Sequence, residues 1–162
     1  MRTPPLMLAL ALASGCATPQ GSDELFGYFI PAPVPEHDNY LAGEVARQLA
    51  SLLPPASTRI ELRQPCRDAF GQSLINQLRN KGYAVREASV AEARSDKDTA
   101  RQGEGPPPLG ATPLNYVVDA IESPALYRVT LRFGDQSLSR AYQPRGTALQ
   151  PVGAWMRRER PL

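Results

Sequence analysis

Between Leu114 and Phe133 apolar side chains fall on every second position. Leu114, Tyr116, Val118 and Ala120 make one run, and Tyr127, Val129, Leu131 and Phe133 make the next, alternating with Arg128, Thr130 and Arg132. A period of two sends one set of side chains to one face of a strand and the other set to the opposite face. Gly134-Asp135 follows Phe133 and precedes a third alternating run containing Leu138, Arg140 and Tyr142, so a two-residue turn makes these strands an antiparallel hairpin. A final strand holds Trp155. A sheet with one apolar face is stable only if something covers that face, and the rest of the chain must supply the cover.

The cover lies upstream. Leu41, Val45, Leu49 and Leu52 recur at helical spacing behind a cap at Asp38 or Asn39, and Pro54-Pro55 stops the helix because the residue before a proline avoids helical dihedrals. Thr58 to Gln64 reads as a half-buried strand, with Ile60 and Leu62 on one face and Arg59, Glu61 and Arg63 on the other. A second helix runs from near Pro65 or Asp68 to Lys81 with Phe70, Leu74 and Leu78 four residues apart, and Gly82 supplies its left-handed end. Tyr83 to Ala88 is a short strand which, if parallel to the previous one, closes a right-handed crossover. The fold class that follows is α+β, with two helices packed on one face of a small, mostly antiparallel sheet.

Proline and charge set the limits of this domain. The chain has 17 prolines in 162 residues, about twice the usual usage of roughly 5%. Pro19, Pro31, Pro33 and Pro35 favour extended geometry, so residues 16–37 read as a Pro-rich tether and 38–160 as the single domain. Residues 91–113 carry Glu92, Arg94, Asp96, Lys97, Asp98, Arg101 and Glu104 before Gly105-Pro106-Pro107-Pro108, with almost nothing to bury, and are expected to form a disordered loop.

The tether begins at a cysteine. Arg2 precedes the uncharged run Leu6 to Ala13, which ends in Ala13-Ser14-Gly15-Cys16, the layout of an export signal whose apolar core is too short to span a bilayer. Small residues directly before a cysteine resemble the lipobox of bacterial lipoproteins. On that reading residues 1–15 are removed by cleavage between Gly15 and Cys16, and the Cys16 thiol carries a diacylglyceryl group. The alternative is an ordinary secreted protein with an incidental cysteine. Each buried methylene contributes about 0.8 kcal/mol, and two chains hold stably where one does not.

Within the tether, Leu25 to Ile30 is an apolar and aromatic cluster with three open homes: the protein's own domain, the membrane interface, or a groove on a partner. Asp23 and Glu24 disfavour anionic headgroups. Phe26, Tyr28, Phe29 and Ile30 suit an extended strand ended by Pro31, and such a peptide adds well to an exposed sheet edge, so these four are the candidate partner-docking residues.

A search for catalytic chemistry is nearly empty. The one histidine, His37, stands in the tether without a cysteine or carboxylate cluster at metal-ligand spacing, a poor general base and a poor ligand. Gly103-x-Gly105 leads into prolines and not a helix, so no phosphate cradle forms, and Asp119 and Glu122 are not placed as a pair on one strand face. Cys66 near the second helix reads as a buried, inert thiol. No catalytic residue, metal site or cofactor is expected. A formal net charge of +2 gives no argument for nucleic acid. The C-terminal arginines at 128, 132, 140, 145, 157, 158 and 160 face only Asp135 and Glu159 from Leu126 onward, which is either a solvated sheet face or a docking surface for an acidic partner.

Taken in order, the lipobox, the proline-rich arm, Leu74-Ile75-Asn76-Gln77-Leu78-Arg79-Asn80-Lys81-Gly82-Tyr83-Ala84-Val85, Tyr116-Val117-Val118-Asp119, Tyr127-Arg128-Val129-Thr130-Leu131, Ser139-Arg140-Ala141-Tyr142 and Gly153-Ala154-Trp155-Met156-Arg157-Arg158 resemble the TrbH family of conjugal transfer lipoproteins. The resemblance implies a subunit of a conjugative type IV secretion apparatus, anchored by lipid in the outer membrane, facing the periplasm, and organising the core complex for plasmid DNA transfer beside other core-complex subunits. A pilotin-like lipoprotein that escorts a secretion subunit to the outer membrane is the alternative. Ala17 directly after Cys16 is similar to outer-membrane lipoproteins.

Overall fold

A computed structural model describes residues 26–89, 110–121 and 126–159. It is an α+β fold of two helices and a seven-stranded, mostly antiparallel sheet. In chain order the elements are β1 (Gly27–Phe29), α1 (Pro35–Leu52), a 3-10 turn (Pro55–Ser57), β2 (Arg59–Leu62), α2 (Ala69–Asn80), β3 (Ala84–Glu87), β4 (Ala111–Ile121), β5 (Leu126–Phe133), β6 (Gln136–Arg145) and β7 (Ala148–Glu159). The strands lie side by side as β3-β2-β4-β5-β6-β7, with β1 also on β4. The pairs β2–β3, β2–β4 and β1–β4 are parallel, while β4–β5, β5–β6 and β6–β7 form an antiparallel meander.

The alternation read from the sequence is what packs the core. Leu114, Tyr116 and Val118 of β4 pair with Phe133, Leu131 and Val129 of β5, and Leu131 in turn with Leu138 of β6. All are buried in one cluster with Leu41, Val45 and Leu49 of α1 and Phe70, Leu74, Ile75 and Leu78 of α2. Asp68 caps α2 by accepting from the Gly71 amide at 2.8 Å, and Gly82 follows the helix at φ +90°, where a side chain would be strained. The β2–α2–β3 unit is the expected parallel crossover. Gly134 at φ +54° makes the β5–β6 turn.

Three boundaries differ from the sequence reading. The helix expected from Asp38 begins at Pro35, because proline at the first helical position loses no hydrogen bond, and Glu36 and Asp38 then sit in the first turn where the helix dipole favours acids. His37, assigned to the tether, is therefore a buried helical residue, 3% exposed. The expected loop ends before residue 113, since Ala111, Thr112 and Pro113 already pair with β2. Pro113 is tolerated there because β5 pairing starts only at Leu114, so its missing N–H removes no bond on that side. The part of the loop at 91–109 lies outside the described residues. Finally, the folded domain takes in residues 26–37 of the expected tether, through β1 and the first turn of α1.

Candidate interaction surface

The aromatic cluster is where the chain's own topology leaves an edge to fill. β5 occupies one edge of β4 from Leu114 to Ile121, so β2 and β1 must share the other, end to end. β2 pairs as far as Leu62 with Leu114, and the Arg63 amide still donates to the Leu114 carbonyl at 3.0 Å. The next β4 donor, the Tyr116 amide, is met by a side chain: Gln64 Oε1 accepts it at 2.9 Å. β1 then takes over, with Gly27, Tyr28 and Phe29 opposite Val117, Val118 and Asp119. Leaving a buried amide unpaired costs about 1–3 kcal/mol, and the Gln64 side chain prevents that loss between the two strands.

This register divides the four candidate docking residues. Tyr28 shares a face with Val118 and turns inward, its hydroxyl donating to Asp38 Oδ1 at 2.7 Å. Ile30 is 7% exposed and belongs to the core. Phe29 shares the opposite face with Asp119 and is 47% exposed. Phe26 is half-buried beneath the Arg132 guanidinium, 5.8 Å from its ring centre. The strand addition expected of this segment thus takes place on the chain's own sheet, which takes up Tyr28 and Ile30. Phe26 and Phe29 stay on the face the helices do not cover. Gly15 and Cys16 lie outside the described residues.

The uncovered face is polar and arginine-rich. Arg128 holds Asp119 through one guanidinium edge, its Nε donating to Oδ1 at 3.0 Å and its second nitrogen to Oδ2, while Arg132 stands between Asn115 and Ser137 in the register. Glu61, expected on a solvated strand face, is instead 1% exposed, because Arg86 and Arg63 lie against it. Arg140, by contrast, is on the helix side of the sheet: it bonds Glu44 of α1 at 3.2 Å and the Gly153 carbonyl at 3.0 Å and lies over the Tyr142 and Trp155 rings. Its charge fastens β7 to the helix layer and is not part of a docking patch.

The cysteine, histidine and tyrosine–aspartate groups that could do acid–base or nucleophilic chemistry are packed into the interior of the domain. Burial pushes the Cys66 thiol up to about 12, outweighing its hydrogen bond with Tyr116, so it is protonated at neutral pH. Burial also raises Asp38 above the ordinary carboxylate range and Tyr28 above the ordinary phenol range. Both nitrogens of His37 and Oδ2 of Asp38 are buried without a hydrogen-bond partner, and His37 packs edge-on to Tyr127 at 5.6 Å. Among the described residues no group of three His, Cys, Asp or Glu is placed to hold a metal ion. An open cleft of about 340 Å³ at the end of α1, lined by Leu52, Leu53, Thr112, Phe133, Asp135 and Arg157, brings no nucleophile next to a base. No helix among the described residues is long and apolar enough to cross a membrane.

Residues that sequence reasoning passed over were Gln64 and Asp38. Gln64 ended an alternating run and gave no sign of meeting a backbone amide 52 residues away. Asp38 was read as a helix cap, whereas its role is to receive Tyr28. The sequence signal for the second was the pairing of a tyrosine in an apolar cluster with an acid at the next helix start.

Comparison with known proteins gives one result. A family model described as "Conjugal transfer protein TrbH" matches residues 23–159, which takes in every element from β1 to β7. No curated protein and no solved structure matches the chain.

Proposed function

This chain belongs to the TrbH family of conjugal transfer proteins, and from that premise we propose that it is a lipid-anchored outer-membrane subunit of a conjugative type IV secretion apparatus, organising the core complex for plasmid DNA transfer. Conjugal transfer is the role the family carries, and it is not a known enzyme family. The observation that supports an anchoring part within it is the segment order: Ala13-Ser14-Gly15-Cys16 at the end of an apolar run, then a short arm over residues 17–25, then a domain that starts at β1. A diacylglyceryl group on Cys16 fixes the arm to the membrane. The domain, in which the Cys66 thiol and the Tyr28–Asp38 pair are buried, supplies surface and not chemistry.

Phe26 and Phe29, presented on the uncovered face beside the Arg128–Asp119 pair, are the contact we assign to a neighbouring core-complex subunit. Aromatic side chains in such contacts commonly carry about 2 kcal/mol or more. The test is a Cys16→Ser strain followed by labelled palmitate and by mating. Loss of label together with loss of plasmid transfer is the expected result, and wild-type transfer without lipid label would overturn the anchoring role. Phe29→Ser should keep lipidation and the unfolding transition while lowering co-purification with the core complex. A protein absent from the intact purified complex would instead be an assembly escort.

A further inference from the structure

The uncovered face of the sheet is charged out of proportion to the chain. Arg59, Arg63, Arg86, Arg128, Arg132 and Arg158 stand on it by register, against Glu61 and Asp119, whereas the whole chain has 18 Lys and Arg against 16 Asp and Glu. Both acids are already taken up, Glu61 by Arg86 and Arg63, and Asp119 by Arg128. Part of this charge is in line. Arg63, one residue past β2, donates its amide to the Leu114 carbonyl and comes level with Asn115, and the row continues through Arg132, Ser137 and Arg158. Arginines therefore stand on alternate strands, with short polar side chains between them. Neighbouring strands lie about 4.8 Å apart, so the arginines of the row repeat about every 10 Å.

We propose that this row is the track on which an acidic segment of the neighbouring core-complex subunit docks, in polyproline geometry with a carboxylate at every third residue. The proposal rests on the assignment of Phe26 and Phe29 to that contact and supplies its chemistry. Guanidinium groups hold carboxylates through two parallel bonds, and opposite charge on the partner sets its register. The repeat and the twist of the row select the shape of the occupant. A polyproline helix has three residues per turn at a rise of about 3.1 Å, so every third side chain returns to one face after about 9 Å, close to the arginine repeat. A β-strand returns to one face every second residue, after about 6.6 Å, and falls out of step. Seven residues of α-helix, about 10.5 Å, match in length. Neighbouring strands rotate by about 20–25°, however, so over the four steps from β2 to β7 the row turns through about 90°. Neither a straight helix nor a planar lipid surface follows that turn, and a flexible extended segment does. Single-stranded nucleic acid stacks its bases on aromatic rings, and among the described residues of this face Phe29 alone is an exposed ring, since Arg132 lies over Phe26. Met156, opposite Ser139 in the next row and 59% exposed, offers apolar contact to the residues between the acids.

The experiment uses the full mature chain with Cys16→Ser and two fluorescent peptides of equal composition, one built of Glu-Pro-Pro repeats and one with its glutamates consecutive. Fluorescence anisotropy should show the repeat peptide binding more tightly than the consecutive one, by about tenfold, and more weakly as salt rises. Arg158→Glu, on an exposed side chain, should keep the parent's circular dichroism and weaken binding of the repeat peptide about tenfold or more. Arg157→Glu makes the same change of charge one residue away, on the helix side opposite Leu138, and should alter binding about twofold at most. Absence of binding, equal binding of the two peptides, or equal effects of the two substitutions overturns the proposal. So does displacement of the repeat peptide by phosphatidylglycerol vesicles or by oligothymidylate at lower concentration than by unlabelled peptide, which would make the occupant a membrane or a nucleic acid. If Phe29→Ser lowers co-purification with the core complex and Arg158→Glu does not, the acidic track fails while the contact stands. The anchoring reading is decided separately, by palmitate label and mating.

Discussion

Two helical glycines should respond to the same substitution with opposite signs. In α2, a Cβ added at Gly71 would lie 2.3 Å from the Tyr116 hydroxyl oxygen and 2.9 Å from Cys66 Cβ, both inside van der Waals contact. The tyrosine cannot retreat freely, because its hydroxyl donates to Asp68 Oδ2 at 2.6 Å while Asp68 Oδ1 caps the Gly71 amide at 2.8 Å. In α1, a Cβ at Gly43 meets only the tip of Arg47, at 4.0 Å. Helix propensity alone favours alanine over glycine by about 1 kcal/mol at either site. At Gly43 nothing opposes it, so Gly43→Ala should stabilise by about 0.5–1 kcal/mol. At Gly71, overpacking costs about 1–3 kcal/mol, and displacing Tyr116 from a charged acceptor costs about 1.5–3 kcal/mol more. The net expectation is a loss of about 2–4 kcal/mol, which for a domain of this size is a fall in Tm of about 8 °C or more. Urea unfolding of the parent and the two variants, with the midpoint compared at constant slope, measures both. A Gly71→Ala protein as stable as Gly43→Ala would refute the packing of α2 on β4.

Three further outcomes follow from the buried polar groups. Tyr28→Phe leaves Asp38 without its phenol donor and should destabilise by about 1–3 kcal/mol, with faster amide exchange at Val117 to Asp119 as β1 loosens. Asp38 is raised in the folded state, so the native protein binds a proton where the unfolded chain has already released it, and stability at this site falls as pH rises from the ordinary aspartate value through the raised one. The stability of Asp38→Asn relative to the parent should therefore be more favourable at pH 7 than at pH 4, and a difference of the opposite sign in urea titrations would show that Asp38 is not held in a desolvated site. The Cys66 thiol, pushed up to about 12 by burial, should resist alkylation in the native protein at pH 8 and react fully in denaturant.

The sequence by itself determined the fold class and nearly every strand and helix, because alternation over 114–142 and helical spacing over 41–52 and 70–78 are local patterns that report which side of an element is buried. It also gave the hairpin at Gly134, the Asp68 region as a helix start and the order of segments on which the family resemblance rests. Tertiary structure decided which groups meet across the chain. An aromatic cluster carries the same apolar signal whether it fills its own sheet or another's, and only the free half of the β4 edge, left when β2 ends at Leu62, made it β1. Glu61 looked solvated because alternation counts positions and not the arginines that lie over them. His37 looked like part of the tether because proline both breaks helices and begins them, and which of the two applies depends on whether the following turn has a core to pack against. Local pattern fixes which apolar side chains of the regular elements are buried, and contacts between residues far apart in sequence fix against what, and which polar residues are buried with them, since those depend on how the strands are ordered and not on the residues in any one window.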